Sequence, residues 1–285
     1  MIELKNVSCV YSQNGPFETI ALNDISIKIE TGSFYGLIGH TGSGKTTLVQ
    51  LISGLIKPTS GEILIDGVNI ADKKVKTRDV VKKTGLVFQY PEYQLFEETV
   101  FDDVAFGPRN LGFSEEEVKE KVVNALKTVG ISEKHFQKSP FDLSGGQKRR
   151  VAIAGILSMD PEILILDEPT AGLDPKGRDD ILREIKKIHE EKKITVILVS
   201  HSMEDVAKTC EKVIVMNGGR AELQGSVREV FSKGDILSGF GLSTPQISKF
   251  IDKLRENGID LPGDIFTVPE AAKAIISLLG GGGND

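Results

Sequence analysis

The sequence contains no tryptophan, only two cysteines and no apolar run of the length that a bilayer requires. A membrane-spanning helix needs about 20 consecutive apolar residues, whereas the longest apolar runs here, 163–166 and 195–199, have the length of strands. We therefore expect no membrane span, and a role at a membrane would have to come through a partner. We also expect no signal peptide ahead of the first strand-like segment, residues 2–10.

The cysteines and the charge balance argue against further classes of protein. Cys9 and Cys210 lie far apart and in no spacing typical of a metal site, so we expect reduced thiols rather than a zinc site or a disulfide. The chain has 41 acidic and 35 basic residues, which gives a formal net charge of −6. Because domains that bind nucleic acid usually have a basic surface, we expect no nucleic-acid partner.

The periodicity of apolar residues predicts an α/β fold with a mixed sheet. Apolar and polar residues alternate over 2–10 and 21–29, as they do in half-buried antiparallel strands. From residue 34 onwards, strand-like apolar runs alternate with helical patterns, which is typical of a parallel sheet covered by helices. We therefore predict a parallel core with an antiparallel edge.

A glycine-rich loop lies between the apolar run 34–38 and a helical pattern. It fits the pattern G-x-x-x-x-G-K-[ST], and its residues are Gly39, His40, Thr41, Gly42, Ser43, Gly44, Lys45 and Thr46, with Thr47 next in the helix. Glycines let backbone N–H groups point at phosphate oxygens, and the helix N-terminus adds its positive dipole end. Lys45 would reach the β- and γ-phosphates of ATP, and the Thr46 hydroxyl would bind Mg²⁺.

The apolar run 163–166 ends in two carboxylates, Asp167 and Glu168. A buried strand beside the phosphate loop would place Asp167 where it can hold Mg²⁺ directly or through water. Glu168 points in a different direction and can orient or deprotonate the attacking water. We predict Asp167 as a metal ligand and Glu168 as the general base of ATP hydrolysis.

A second phosphate-binding element is predicted at the start of a later helix. Leu143 is followed by Ser144, Gly145, Gly146 and Gln147, and an apolar helical pattern begins soon after. Taken alone, these residues would also suit a surface turn. A hydroxyl and glycine N–H groups at a helix N-terminus form an anion site, however, and two phosphate sites in one chain indicate two chains that share them.

In this order the motifs resemble those of ABC-transporter nucleotide-binding subunits, whose ATPase core is a P-loop NTPase fold. The family's signature motif matches 143–147 letter for letter, and its aspartate loop matches 171–174. The resemblance implies that Gln89 contacts Mg²⁺ and water and senses a membrane partner, and that His201 contacts the γ-phosphate. It also implies that Tyr11 stacks on adenine. His40 occupies a variable position of its motif, and we expect no catalytic role for it.

The resemblance further implies that two ATPase subunits act as a head-to-tail dimer. The Ser144 segment of one chain would close over the γ-phosphate held by the Lys45 loop of the other. ATP binding would close the dimer and hydrolysis would reopen it. Whether the two subunits are identical stays open at this point.

Residues 90–108 narrow the resemblance to the ATPase subunits of energy-coupling factor importers, and in particular to the second of their two paralogous ATPases. Such subunits bind a transmembrane coupling protein and a substrate-binding membrane protein, and together they import vitamins or transition-metal ions. The resemblance implies a peripheral position on the cytoplasmic face of the cell membrane.

Six residues of this stretch form a candidate docking surface. We expect Tyr93, Leu95 and Phe96 to be exposed beside Glu92, Glu97 and Glu98, in a groove that suits basic and apolar helices of a membrane partner. The alternative is that these aromatic side chains pack inside a helical subdomain, which we predict over about 90–160.

The chain divides in this interpretation into an ATPase domain, 1–234, and a small helical domain, 235–285, which we expect to contribute a dimer contact. Two other functions stay open. An exporter ATPase differs only in residues 90–108 and the tail. A soluble ABC ATPase acting on nucleic acid is disfavoured by the acidic charge and by the short gap between Lys45 and Ser144.

Overall fold

The computed structural model of the chain describes residues 1–280. Its strands are β1 (Ile2–Tyr11), β2 (Thr19–Ile29), β3 (Phe34–Gly39), β4 (Ser60–Ile65), β5 (Val68–Asn69), β6 (Thr84–Val87), β7 (Ile163–Asp167), β8 (Thr195–Val199), β9 (Lys212–Asn217) and β10 (Arg220–Ser226). Its helices are α1 (Lys45–Ile52), α2 (Thr77–Lys83), α3 (Val100–Asn110), α4 (Glu115–Thr128), α5 (Gly145–Leu157), α6 (Pro175–Lys192), α7 (Met203–Thr209), α8 (Val227–Phe231), α9 (Gly234–Gly239), α10 (Gln246–Glu256) and α11 (Val268–Gly280).

The strands form two sheets. One is antiparallel, in the order β2-β1-β4-β5, and the other has the order β10-β9-β3-β8-β7-β6. In the second sheet β3, β6, β7, β8 and β9 run parallel, and β10 pairs antiparallel with β9. The predicted α/β fold, with a parallel core and antiparallel strands at its edge, is confirmed.

The two faces of the parallel sheet bury different partners. On one face, Leu37 and Ile197 pack with α1 and with the antiparallel sheet, including Leu4. On the other, Leu166 and Leu198 pack against α3 to α7. Strands buried on both faces consist almost wholly of apolar residues, which explains why β7 and β8 appear in the sequence as short continuous apolar runs.

Parallel strands bring their carboxyl ends to one edge of the sheet, where α/β proteins bind their ligands. Here β3 ends at Gly39 and leads into the glycine-rich loop, and β7 ends at Asp167. β8 ends at Val199, two residues before His201, and β6 ends at Val87, two residues before Gln89. Four separated parts of the sequence therefore converge on one edge.

Helices α3, α4 and α5 pack on one another beside the sheet. Helix α4 begins with a capping box: the Ser114 hydroxyl accepts from the Glu117 N–H, and the Glu117 carboxylate accepts from the Ser114 N–H. A capping box satisfies two of the free N–H groups at a helix start, and it fixes where α4 begins.

The last helices have a small core of their own, formed by Ile251, Leu261, Ile265 and Ala271. Helix α10 begins directly after Pro245. Leu237 of α9, by contrast, packs in the main core. The division at residue 234 stays a prediction, and residues 281–285 of the predicted small domain lie outside the described residues.

The small core is held against the rest of the chain by a charged and an aromatic contact. Arg228 of α8 donates to the Asp264 carboxylate at 2.5 Å and to Glu270 at 2.7 Å. The rings of Phe231 and Phe266 lie 5.9 Å apart. None of the helices within residues 1–280 combines the length and the apolar character needed to cross a bilayer.

Candidate nucleotide site

The glycine-rich loop joins β3 to α1 and encloses the Lys45 side chain, which is 6% exposed. Its Nζ donates to the carbonyl oxygens of Gly39 and His40 at 2.8 and 2.9 Å. Gly44 has φ of +100°, and a Cβ there would lie 2.7 Å from the Ala21 carbonyl oxygen. Only glycine combines this backbone conformation with this close approach, so the sequence pattern follows directly from the geometry of the loop.

Burial lowers the pKa of Lys45, while the nearby carboxylates of Glu168 and Asp167 act to raise it. The ammonium group is thus poorly hydrated, and only the protein's own carbonyl oxygens and carboxylates offset that loss. A phosphate group entering the loop would supply a further negative partner to a cation that is already desolvated.

A cavity of about 570 Å³ lies over this loop at the carboxyl edge of the sheet. It is lined by Tyr11, Thr19, Ile20, Ala21, Thr41, Gly42, Gly44, Lys45, Thr46, Thr47, Gln89, Asp167, Glu168 and His201. A volume of this size lies within the usual range for small-molecule and cofactor sites.

Two carboxylates lie side by side in the cavity. Asp167 is 8% exposed, and burial raises its pKa, opposed by the charge of Lys45 and by a hydrogen bond from Thr46. Burial likewise raises the pKa of Glu168, opposed by His201. A buried carboxylate with a raised pKa is closer to the proton affinity that a general base needs.

Glu168 adopts an unusual backbone conformation, with φ of +51°. Its N–H donates to the Val199 carbonyl oxygen at 3.1 Å, and its Oε1 lies 2.7 Å from His201 Nε2. A left-handed conformation is uncommon for a residue with a side chain and often marks a functional site. Here the Glu168 carboxylate meets His201, whereas Asp167 lies within reach of the charge of Lys45.

The oxygen atoms around Thr46 suit Mg²⁺. Thr46, Asp167 and Gln89 line the same cavity, and Thr46 acts to lower the pKa of Asp167. Mg²⁺ prefers oxygen ligands and is usually held by one or two carboxylates together with substrate phosphates. No cluster of three or more His, Cys, Asp or Glu side chains suited to a metal occurs in the described part of the chain, and a shared protein–phosphate site needs none.

Tyr11 and His40 flank the cavity in different ways. The Tyr11 hydroxyl lies 3.3 Å from Thr47 Oγ1, and the ring is 41% exposed at the cavity rim. The His40 ring faces away: its Nδ1 lies 2.7 Å from the Thr41 carbonyl oxygen and its Nε2 lies 3.2 Å from Asn217 Oδ1. The side chains of His40 and Ser43 do not line this cavity in the described structure, so any contact with nucleotide would come through their backbone N–H groups.

The second predicted phosphate element lies elsewhere on the chain. Ser144 caps α5, and its hydroxyl and Gln147 form a reciprocal capping box. Gly145 and Gly146 are exposed, and an added Cβ at either would meet no atom within 4 Å. Leu143 anchors the segment in the core. This exposed helix start is open to another molecule, as the two-chain interpretation requires.

Thr19, Ile20 and Ala21 also line the cavity, although no motif in the sequence indicated them. Thr19 pairs with Tyr11 across β1 and β2, so the hairpin register would have placed it beside the predicted aromatic residue. Arg149 was not predicted as a functional residue either, and its charged side chain is 1% exposed. In the sequence, the burial of Arg149 is indicated only by its place in the helix that also contains the buried apolar residues of α5.

A second cavity, of about 450 Å³, lies between α3, α5 and the segment after Gln89. We call it the docking groove; it is lined by Val81, Gln94, Leu95, Phe96, Asp103, Phe106, Gly107, Asn110, Leu111, Val151, Ala152, Gly155, Ile156 and Met159. The rings of Phe96 and Phe106 meet edge to face at 5.0 Å. Burial raises the pKa of Asp103 although its carboxylate accepts from the backbone N–H groups of Phe96 and Glu97.

The predicted docking surface is right for two aromatic side chains and wrong for Leu95 and Glu92. Tyr93 and Phe96 are exposed as predicted, at 83% and 58%. Leu95 is buried at 7% exposure, because the 3₁₀ turn Pro91–Gln94 directs it into the core. The Glu92 carboxylate is paired with Arg149 inside the molecule, so Asp103 is the acidic side chain that the groove presents.

Known proteins are similar to this chain in sequence and in fold. The energy-coupling factor transporter ATP-binding protein EcfA2 of Caldanaerobacter subterraneus is 58% identical over 280 residues, covering 98% of each chain. The protein of the same name from Clostridium perfringens is 56% identical over 279 residues, again covering 98% of each. Residues 22–171 match the ABC transporter family.

Two solved structures are similar. CbiO1 from Clostridium perfringens, described as part of the ABC transporter complex cbiONQ, is 40% identical with a TM-score of 0.75, covering 88% of this chain and 98% of that one. The ATP-binding cassette MJ0796, solved as a dimer bound to ADP and phosphate, is 33% identical with a TM-score of 0.69, covering 80% and 99%. On this evidence the chain belongs to the ABC transporter family, among the energy-coupling factor ATP-binding proteins.

Proposed function

We propose that this chain binds and hydrolyses ATP to power a membrane importer of the energy-coupling factor type. The observation behind the proposal is that one cavity brings together Lys45, Thr46, Asp167, Glu168 and His201, which come from three separated parts of the sequence. The relatives that match 98% of this chain are named as the ATP-binding subunits of such transporters.

Each side chain has a role that its position supports. Lys45, already desolvated, holds the β- and γ-phosphates in place of its present carbonyl partners. Thr46, Asp167 and Gln89 would hold Mg²⁺, which supplies charge neutralisation on the phosphates. Glu168 orients the attacking water and accepts its proton.

His201 would contact the γ-phosphate once Glu168 turns toward water. Its Nε2 lies 2.7 Å from Glu168 Oε1, which places the ring beside the carboxylate that would orient the attacking water. Tyr11, at the other end of the cavity, would stack on the adenine ring, a contact worth about 1–3 kcal/mol in other base-binding proteins.

The working unit in this proposal is a dimer of ATPase subunits. The Ser144–Gly146 segment lies outside the cavity and exposed, and so it would serve the cavity of a second chain. MJ0796 was solved as a dimer. The resemblance of residues 90–108 to the second of two paralogous ATPases favours a heterodimer. Exposed Val268, Ile276 and Leu279 on α11 offer the small C-terminal domain an apolar contact.

The docking groove is where a transmembrane coupling protein would bind, and a substrate-binding membrane protein would complete the importer. The groove has apolar walls and one acidic group, Asp103, whose raised pKa reflects burial without a cationic partner. A helix with an apolar face and a basic residue would supply that partner. The chain would thereby sit peripherally on the cytoplasmic face of the cell membrane.

Phosphate release from ATP tests the enzymatic part of the proposal. With Mg²⁺ present, the chain in complex with a second ATPase subunit is expected to release phosphate steadily. Chelating Mg²⁺ with EDTA should stop turnover, because the phosphate charges and Asp167 then repel each other across the site. Turnover that persists at full rate in EDTA would contradict the assigned roles of Thr46, Gln89 and Asp167.

The docking groove leads to a separate prediction. Phe96→Ser removes an apolar wall that is 58% exposed, so it should cost little folding stability but reduce the membrane protein recovered with the chain at least about tenfold. Val68→Ser, at 53% exposure on the antiparallel sheet, is the matched control and should recover as much as the wild type. Equal losses for both variants would rule out this groove as the docking site.

A further inference from the structure

The buried Arg149 side chain joins three parts of the molecule. It projects from α5, five positions after Ser144 in the sequence, and is 1% exposed. Its Nε and Nη2 donate to the two carboxylate oxygens of Glu92 at 2.9 and 2.6 Å. Its Nη1 donates to the carbonyl oxygens of Pro169 and Ala171, each at 2.9 Å. The planar fork of the guanidinium group makes such simultaneous contacts possible.

The Glu92 end of this arrangement belongs to the docking groove. Glu92 lies in the 3₁₀ turn Pro91–Gln94, and Gln94 of the same turn lines the groove. The turn begins at Pro91, two residues after the predicted Mg²⁺ ligand Gln89, and Tyr90 between them has φ of +54°. A shift of this rigid turn by a docking partner would therefore move the Glu92 carboxylate and Arg149 with it.

The Pro169 and Ala171 end of this arrangement belongs to the loop between β7 and α6, residues 168–174, which we call the Glu168 loop. Pro169 directly follows Glu168, and the Ala171 N–H donates to the Glu168 carbonyl oxygen at 3.1 Å. Arg149 therefore holds the backbone just after Glu168, the proposed general base, which has the left-handed conformation. The Tyr90 ring reaches the same loop, since a Cβ on Gly172 would lie 3.3 Å from Tyr90 Cε1.

The ionisation of Glu92 favours a stable ion pair between Glu92 and Arg149. Burial acts to raise the pKa of Glu92, but the hydrogen bonds and charge of Arg149, with a backbone hydrogen bond, hold that pKa below its ordinary value. The Glu92 carboxylate therefore stays ionised at neutral pH, and both of its hydrogen bonds with Arg149 are kept. By contrast, neighbouring Arg150 pairs with Glu184 of α6, at 3.0 Å, and makes no contact with either loop in the described hydrogen bonds.

From these contacts we infer that Arg149 and Glu92 are positioning residues that transmit the state of the docking groove to the Glu168 loop. The inference rests on the proposed function, in which a membrane partner occupies the groove. Its consequence is that the partner's stimulation of ATP turnover depends on this ion pair, separately from the pair's contribution to folding.

The test compares folding with stimulation in three variants. Glu92→Gln leaves the buried Arg149 charge without its carboxylate, and Arg149→Met leaves the Glu92 carboxylate and the Pro169 and Ala171 carbonyl oxygens without their donor, so each should lower the Tm. The double variant E92Q/R149M leaves no unpaired buried charge and should recover much of the lost Tm. Stimulation is measured as phosphate release by the complete membrane complex divided by that of the isolated ATPase dimer.

We expect stimulation to fall at least about tenfold in all three variants, because a displacement of 1 Å at a catalytic group can cost about 10²-fold in rate. The KM for ATP should stay close to that of the wild type. The decisive result is the double variant, in which the Tm returns and stimulation does not. Arg150→Lys, next to Arg149 on the same helix, is the control and should keep the wild-type stimulation.

Stimulation that returned together with the Tm would mean a purely structural ion pair and would overturn the inference. An equal loss of stimulation in Arg150→Lys would overturn it too. These outcomes are distinct from a failure of the proposed function, in which the wild-type complex itself would show no stimulation, or no membrane partner would be found.

Discussion

Glu168→Gln is expected to lower ATP turnover by about 10²–10⁴-fold, the usual contribution of a general base, and to leave ATP binding intact. Glutamine keeps the shape of the side chain but cannot accept a proton from water. Because ATP binding favours the closed dimer and hydrolysis no longer reopens it, closed dimers should accumulate with ATP. Phosphate release measures the first effect and size-exclusion chromatography with ATP the second.

The matched control lies at the opposite end of the same strand. Glu162 immediately precedes β7 and has a side chain that is 61% exposed, far from the carboxyl edge of the sheet. Glu162→Gln should therefore turn over ATP at the wild-type rate and form no long-lived dimer. If Glu168→Gln also kept the wild-type rate, another group would have to activate the water.

Lys45→Met is expected to weaken ATP binding by about 10²-fold or more, since hydrogen bonds to charged groups contribute about 1.5–3 kcal/mol each. Methionine fills a similar volume, and folding should not suffer. Burial lowers the pKa of Lys45, which means that the folded state disfavours the ammonium charge that methionine removes. Calorimetric titration with ATP and a thermal melt check the two halves of this prediction.

Lys28→Met provides the comparison for that experiment. Lys28 lies on β2 with its side chain exposed, so its charge is fully hydrated and distant from the glycine-rich loop. ATP should bind this variant as it binds the wild type. An unchanged affinity in Lys45→Met would show that the loop does not hold the phosphates in the way that its sequence and geometry indicate.

Local patterns predicted the α/β fold and the glycine-rich loop because each depends on neighbours in sequence. Gly44 is needed for a backbone conformation that its own loop imposes, and β7 is a continuous apolar run because both its faces are buried. The strand order, by contrast, follows from pairings between distant segments such as β6 with β7. No single stretch of sequence contains that information.

The wrong predictions for Leu95 and Glu92 also arise from contacts between distant segments of the chain. Leu95 was expected on the surface because acidic residues surround it, yet the turn that precedes it directs the side chain into the core. Glu92 was assigned to a partner because its own partner, Arg149, lies on a helix far along the chain. A charge in a sequence does not reveal which charge it meets, and only the folded chain distinguishes a surface carboxylate from a buried ion pair.

Affinity purification of the tagged chain from its native membranes, with mass spectrometry of what accompanies it, tests the central claim most directly. We expect a related ATP-binding subunit, a polytopic coupling protein and one or more small substrate-binding membrane proteins, whose identities would name the imported compounds. Recovery of an exporter permease, or of ribosomes or DNA-repair factors, would contradict the importer assignment.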